Sequence, residues 1–150
     1  MNNSVLSSVR HIGFLVKDLD SAIKHFQSLG IGPFEPLKVT FVRREVLGKP
    51  ITDSNIKLKI RMAQLGQMQF ELIEPGEGKS PWRDYLETHG DGIEHIGFFV
   101  EDIETAVAEM EKKGFQILRR GWFEGGGGNA FINTNKVGGI NIELIQWPGK

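Results

Sequence analysis

A twelve-residue segment, His11-Ile12-Gly13-Phe14-Leu15-Val16-Lys17-Asp18-Leu19-Asp20-Ser21-Ala22, returns 84 residues later as His95-Ile96-Gly97-Phe98-Phe99-Val100-Glu101-Asp102-Ile103-Glu104-Thr105-Ala106, with seven positions identical. A repeat of this kind means that one supersecondary unit is built twice. Each copy opens on a short, β-rich apolar run and reaches an Asp whose side-chain oxygen can cap a helix. Ala22, Ile23, Phe26 and Leu29 then follow helical spacing in the first copy, as do Ala106, Val107 and Met110 in the second. Gly30 and Gly114, each twelve residues past its capping Asp, suit the left-handed position that ends a helix.

A second pair of strands is written as Gln69-Phe70-Glu71-Leu72-Ile73 and Asn141-Ile142-Glu143-Leu144-Ile145. The span from His to Glu is 60 residues in the first copy and 48 in the second, so the first carries twelve extra residues. The turn signal Gly48-Lys49-Pro50 places them between Thr40 and Ser54. Each copy has room for two further strands, in 37–47 and 56–65 and in 115–123 and 129–133, giving β-α-β-β-β twice. Module one covers about 8–75, a linker about 76–91 and module two about 92–147. The linker holds Trp82 to Glu87, a short helix with Ser80 as cap and Pro81 at the first helical position. Gly125 to Gly128 reads as a hairpin connection, because no phosphate-binding spacing accompanies it.

Side chains alternate between the faces of a strand. His11 and His95 therefore share their face with Gly13 and Gly97, while Glu71 and Glu143 lie opposite Phe70-Leu72 and Ile142-Leu144, which must meet the helices. Two His and two Glu are left on the side away from the helices. Buried ionisable groups need partners, and one divalent cation satisfies all four. With no cysteine in the chain, thiolate sites, disulfides and a cysteine nucleophile are excluded. The ligands must be imidazole and carboxylate, which suit Zn, Co, Mn, Ni or Fe. His25 and His89 have no repeat partner and read as surface residues.

Eighteen basic against nineteen acidic residues leave a net charge of -1, so no global field recruits nucleic acid or an anionic membrane. No apolar run approaches the length of a membrane span and no secretory leader opens the chain, which makes the cytoplasm the expected address.

The segments His11–Leu29, Gln69–Pro75, Ser80–Ala106 and Gly126–Gln146 resemble the vicinal oxygen chelate superfamily of glyoxalases, bleomycin-resistance proteins and dioxygenases. Within it they are most similar to the methylmalonyl-CoA epimerase family. The resemblance implies an α+β fold in which two βαβββ modules form a cup-shaped, mostly antiparallel sheet with the helices outside. It implies one divalent metal held by His11, Glu71, His95 and Glu143, with Glu143 as catalytic base. The implied activity is that of an isomerase or lyase working through a metal-stabilised enolate, on a small anionic carbonyl compound or acyl-CoA. An extradiol dioxygenase or a non-enzymatic drug-binding protein are the alternatives, and the metal site could close within one chain or across a homodimer. The epimerase family has a second Glu on a middle strand of module one, where this chain has Ile56-Lys57-Leu58-Lys59-Ile60-Arg61-Met62-Ala63, and Lys59 falls at or near that position, which makes it the candidate second catalytic base, on the opposite face of the substrate from Glu143. The row Lys57, Lys59 and Arg61 either faces the cavity, favouring an anionic substrate, or forms a solvated edge.

Overall fold

The computed structural model describes residues 4–51 and 57–150. Ser54 and Ile56, which bound two of the expected segments, lie outside them. In chain order the elements are β1 (Val9–Leu15), α1 (Leu19–Ser28), β2 (Glu35–Pro36), β3 (Phe41–Val46), β4 (Lys49–Pro50), β5 (Leu58–Leu65), β6 (Met68–Pro75), α2 (Pro81–His89), β7 (Gly92–Phe99), α3 (Ile103–Lys112), β8 (Ile117–Phe123), β9 (Gly128–Ile132) and β10 (Asn141–Gln146). The class is α+β, and the βαβββ pattern of each copy is present. No helix among the described residues is long and apolar enough to cross a membrane.

The chain divides into two compact units. One comprises His11–Leu37 and Asp53–Glu94, the other Met1–Arg10, Lys38–Thr52 and His95–Lys150. In the His11 unit the strand order is β2-β5-β6-β1, with β1 parallel to β6 and the other pairs antiparallel. Its core lies between sheet and α1: Val16, Leu19 and Leu72 are buried, and Phe14, Ala22, Ile23, Phe26 and Phe34 pack on them. Leu29, expected on this apolar face, is instead 65% exposed. The helix ends at Ser28 and Leu29 is its C-cap, so the side chain has left the helical stripe. Gly30 follows at φ 84°, as the spacing predicts.

In the His95 unit the order is β7-β10-β9-β8-β3-β4, with β7 parallel to β10 and the rest antiparallel. Val100, Ile103, Ala106, Val107, Met110, Ala130, Ile132 and Leu144 form its core beneath α3. The strand expected within 37–47 proves to be a hairpin strand of this unit. β3 pairs with β8, Arg44 opposite Gly121, and β4 folds back on β3. The extra residues of the first copy thus extend the sheet of the second, and the first copy's own second strand shrinks to Glu35–Pro36.

The repeat extends to individual hydrogen bonds. Val16 N donates to Ile73 O and Val100 N to Ile145 O, both at 2.9 Å. One turn on, Leu19 N donates to Glu74 Oε2 at 2.7 Å and Ile103 N to Gln146 Oε1 at 3.0 Å. In each unit the residue after the Ile of the Glu strand therefore satisfies an orphan N–H in the first turn of the helix. That bond ties the entry of the helix to the end of its own sheet.

Asp18 and Asp102 cap the two helices as expected. Ser21 N donates to Asp18 Oδ1 at 2.9 Å, and Thr105 Oγ1 to Asp102 Oδ2 at 2.7 Å. These bonds hold both carboxyls below the ordinary value of 3.8, led by the backbone bond from Ser21 for Asp18 and the side-chain bond from Thr105 for Asp102. A depressed folded-state pKa contributes stability that is present above the unfolded value and is lost as pH falls through the folded one. Asn at 102 keeps an acceptor oxygen and removes the charge, so Asp102→Asn is expected to lose less melting temperature than wild type between about pH 5 and about pH 2. Parallel thermal melts across that range check this; equal losses would mean the Asp102 cap does not contribute to acid unfolding.

Candidate metal centre

Parallel pairing fixes which residues stand side by side. In the His11 unit the register sets His11 beside Gln69 and Gly13 beside Glu71. By alternation these four share one face, while Phe14 and Leu72 turn to α1. His11 Nε2 lies 3.3 Å from Glu71 Oε2. The His95 unit repeats the register, His95 beside Asn141 and Gly97 beside Glu143. There His95 Nε2 lies 3.1 Å from Glu143 Oε2. The same two atoms face each other in both units. His11 and His95 are 1% and 0% exposed, Glu71 and Glu143 7% and 3%. Glycine beside each carboxylate places no side chain between it and the imidazole one step along the neighbouring strand.

Glu143 has a further partner that sequence reasoning missed. Asn129 Nδ2 donates to Glu143 Oε1 at 2.8 Å, so one carboxylate oxygen is held by the amide and the other faces His95. Asn129 sits on β9 across from Gly121 of β8. A Cβ at Gly121 would collide with the Phe41 ring and with Asn129 Oδ1, so glycine there leaves the amide its place. The sequence offered one signal, a lone polar residue following the glycine run and opening a strand, and it says nothing of the partner.

The placement of Lys59 decides against the cavity-facing alternative for the basic row. Hairpin pairing of β5 with β6 sets Met62 opposite Glu71 and Lys59 opposite Glu74. Alternation then puts Leu58, Ile60 and Met62 on the face of Glu71, and Lys59 and Arg61 on the face of Leu72. Lys59 Nζ lies 3.4 Å from Glu74 Oε1, and its side chain is 69% exposed. The row is thus on the helix side. The physical reason is the register: Leu65 pairs with Met68 across a tight turn at Gly66, which fixes every later pair. Only Ala63, buried and small, turns inward on the helix side of this strand. His25 and His89 are exposed, as expected, with His89 stacked on Tyr85 at 4.1 Å.

Three similarities bear on this arrangement. An uncharacterised protein of Bacillus subtilis, YqjC, is 25% identical over 146 residues, which is 96% of this chain and 95% of that protein. The mitochondrial methylmalonyl-CoA epimerase of Bos taurus is 24% identical over 144 residues, 94% of this chain and 75% of the bovine one. The crystal structure of methylmalonyl-CoA epimerase from Mycobacterium tuberculosis matches with a TM-score of 0.72 at 21% identity, covering 100% of this chain and 93% of the other. This structural likeness carries the fold. The family profile matches residues 10–133, most of the chain, and the protein therefore belongs to the Glyoxalase/Bleomycin resistance protein/Dioxygenase superfamily.

Proposed function

We propose that this chain is an epimerase-like enzyme of the superfamily that binds one divalent cation through His11, Glu71, His95 and Glu143 and labilises a C–H bond next to the carbonyl of an acyl-CoA. The observation that carries the reading is the His–carboxylate pair present in both units, with Nε2 and Oε2 facing each other each time. Taking a carboxylate out of water costs several kcal/mol, and one divalent cation would offset that cost for both carboxylates at once. Two imidazoles and two carboxylates are also a donor set that fits Zn, Co, Mn, Ni or Fe(II). The names of the epimerase relatives support an acyl-CoA as substrate.

The cation would supply Lewis acidity at the carbonyl oxygen, which raises the acidity of the neighbouring C–H. Everything else falls to the chain. Glu143 is the residue to accept the proton, at Oε1, which keeps a lone pair beside its bond from Asn129. Asn129 restricts rotation of the carboxylate and so keeps Oε1 turned to one place. The burial of His95 and Glu143, 0% and 3% exposed, keeps bulk water from competing for the proton. Lys59, on the other sheet face, is not proposed as the opposite base. Met62 stands across from Glu71 instead, so inversion would need an acceptor other than these residues.

Chelator-treated protein titrated with Mn(II) or Co(II) in a calorimeter is expected to take up about one equivalent per chain. His11→Ala and His95→Ala should each weaken binding by more than about 100-fold, since even outer-sphere partners contribute about 10- to 100-fold. Wild-type affinity in either variant would remove that residue from the site.

In deuterated water, metal-loaded protein given methylmalonyl-CoA is expected to exchange the α-hydrogen, read by mass spectrometry. Glu143→Gln should slow this by about 10²- to 10⁴-fold. Asn129→Ala should slow it less, and should weaken metal binding by about 10- to 100-fold. Undiminished exchange in Glu143→Gln would take Glu143 out of the proton transfer.

A further inference from the structure

The extra residues of the first copy reach toward the proposed base of the second. On the Glu143 face of the His95 unit, cross-strand pairing sets out two rows, one of Glu143, Phe131 and Arg119 and the next of Ile145, Asn129, Gly121 and Arg44. Phe123 lies two residues beyond Gly121 on β8 and pairs with Phe41 at the start of β3, the hairpin strand that the insertion adds. The register of β3 against β8 shifts between Phe41 and Arg43, which makes Val42 an extra residue. In an unbroken strand Phe41 would share its face with Arg43 and Glu45, away from Glu143. One extra residue reverses the alternation, and a bulge re-aims side chains in this way. Phe41 therefore turns to the Glu143 face, and Val42 is left 63% exposed.

The re-aimed ring fills the space that a side chain at Gly121 would need, and Asn129 Oδ1 enters the same space. The ring is itself braced. Phe123 meets it edge to face with centroids 5.0 Å apart, and the Arg44 guanidinium carbon lies 3.9 Å over it. Phe123 is buried and stacks in turn on Trp147. The carboxamide of Asn129 is thus bounded at both ends: Oδ1 lies in the space shared with Phe41, while Nδ2 donates to Glu143 Oε1 at 2.8 Å. Half a turn of the amide would set Oδ1 against the carboxylate, two acceptors with no proton between them. A rigid ring beside the amide restricts that turn, as close packing does for any side chain without room to move.

We propose that Phe41 is a positioning residue for Glu143: carried onto this face by the bulge at Val42, it fixes the carboxamide of Asn129, which fixes the carboxylate. The insertion in the first copy is then part of the proton-transfer apparatus of the second unit. The catalytic half of the proposal rests on Glu143 as proton acceptor in the reading above.

A double-mutant cycle and a spectroscopic measurement on Zn(II)-loaded protein test it together. With methylmalonyl-CoA in deuterated water, Phe41→Ala is expected to lower kcat for α-hydrogen exchange about 10- to 100-fold with KM unchanged, and Phe41→Leu to recover part of the loss. In an Asn129→Ala background Phe41→Ala should add no more than about 2-fold, because the two act in series. Val42→Ala should leave the rate as it is. By NMR, the side-chain amide protons of Asn129, assigned by their loss in Asn129→Ala, should exchange with water about 10-fold faster in Phe41→Ala, with Phe41→Leu between. Fully additive losses in the double variant, or an Asn129 amide exchanging at the wild-type rate in Phe41→Ala, would overturn the positioning role. If wild type exchanges no α-hydrogen, the reading of Glu143 as base falls and the catalytic half of the proposal with it, while the amide measurement still decides whether Phe41 holds Asn129. Should Phe41→Ala not fold, Phe41→Leu against wild type decides both measurements.

Discussion

The register of two parallel strand pairs governs the rest of the molecule. Once Gly13 is set beside Glu71, and Gly97 beside Glu143, the His two residues earlier on each strand falls on the same face as the carboxylate. A slip by one residue would send His and Glu to opposite faces, because the side-chain period is two. The register is held at the end of each pair by the Val-to-Ile backbone bond and then by Glu74 or Gln146 reaching into the first turn of the helix. The helices are therefore part of what aligns the proposed ligands, and the hydrophobic clusters beneath them hold the other face of each strand.

The same alternation separates chemistry from stability. In the His95 unit Leu144 and Ala130 go to the core beneath α3, whereas Glu143, Asn129, Phe131 and Arg119 go to the opposite face. Burial of one leucine of the Leu144 kind contributes roughly 1.5–3 kcal/mol. Gathering a carboxylate, a carboxamide and a guanidinium on the other face draws on that stability, since buried polar groups cost free energy unless paired. The unit meets the cost locally: the amide of Asn129 on one carboxylate oxygen, the His95 nitrogen on the other, and a phenylalanine ring beneath the guanidinium.

What was legible in the sequence is what repeats or alternates. The His and Glu positions, the Asp18 and Asp102 caps, the helix ends at Gly30 and Gly114, and the Ser80-Pro81 helix entry follow from local rules, and each is found. Where the chain departs from its own repeat, local rules fall short. The insertion in the first copy joins the second unit's sheet through β3 and β8, a pairing between segments about 75 residues apart that no periodicity announces. The face of Lys59 stayed open in the sequence because a strand of alternating Lys and aliphatic residues reads equally well either way up; the hairpin turn at Gly66 decides, and it puts the aliphatic row beside Glu71. Asn129 and Arg119 became visible only with the pairing of β8, β9 and β10, since neither recurs in the first copy.

The central claim, that the two His–Glu pairs serve one cation, is tested most directly by extended X-ray absorption fine structure of the protein loaded with one equivalent of Co(II) or Zn(II). The account predicts a first shell fitted by two imidazole rings together with oxygen donors, falling to one ring in His11→Gln and likewise in His95→Gln. A wild-type shell with a single imidazole, or one that is unchanged in either variant, would contradict it.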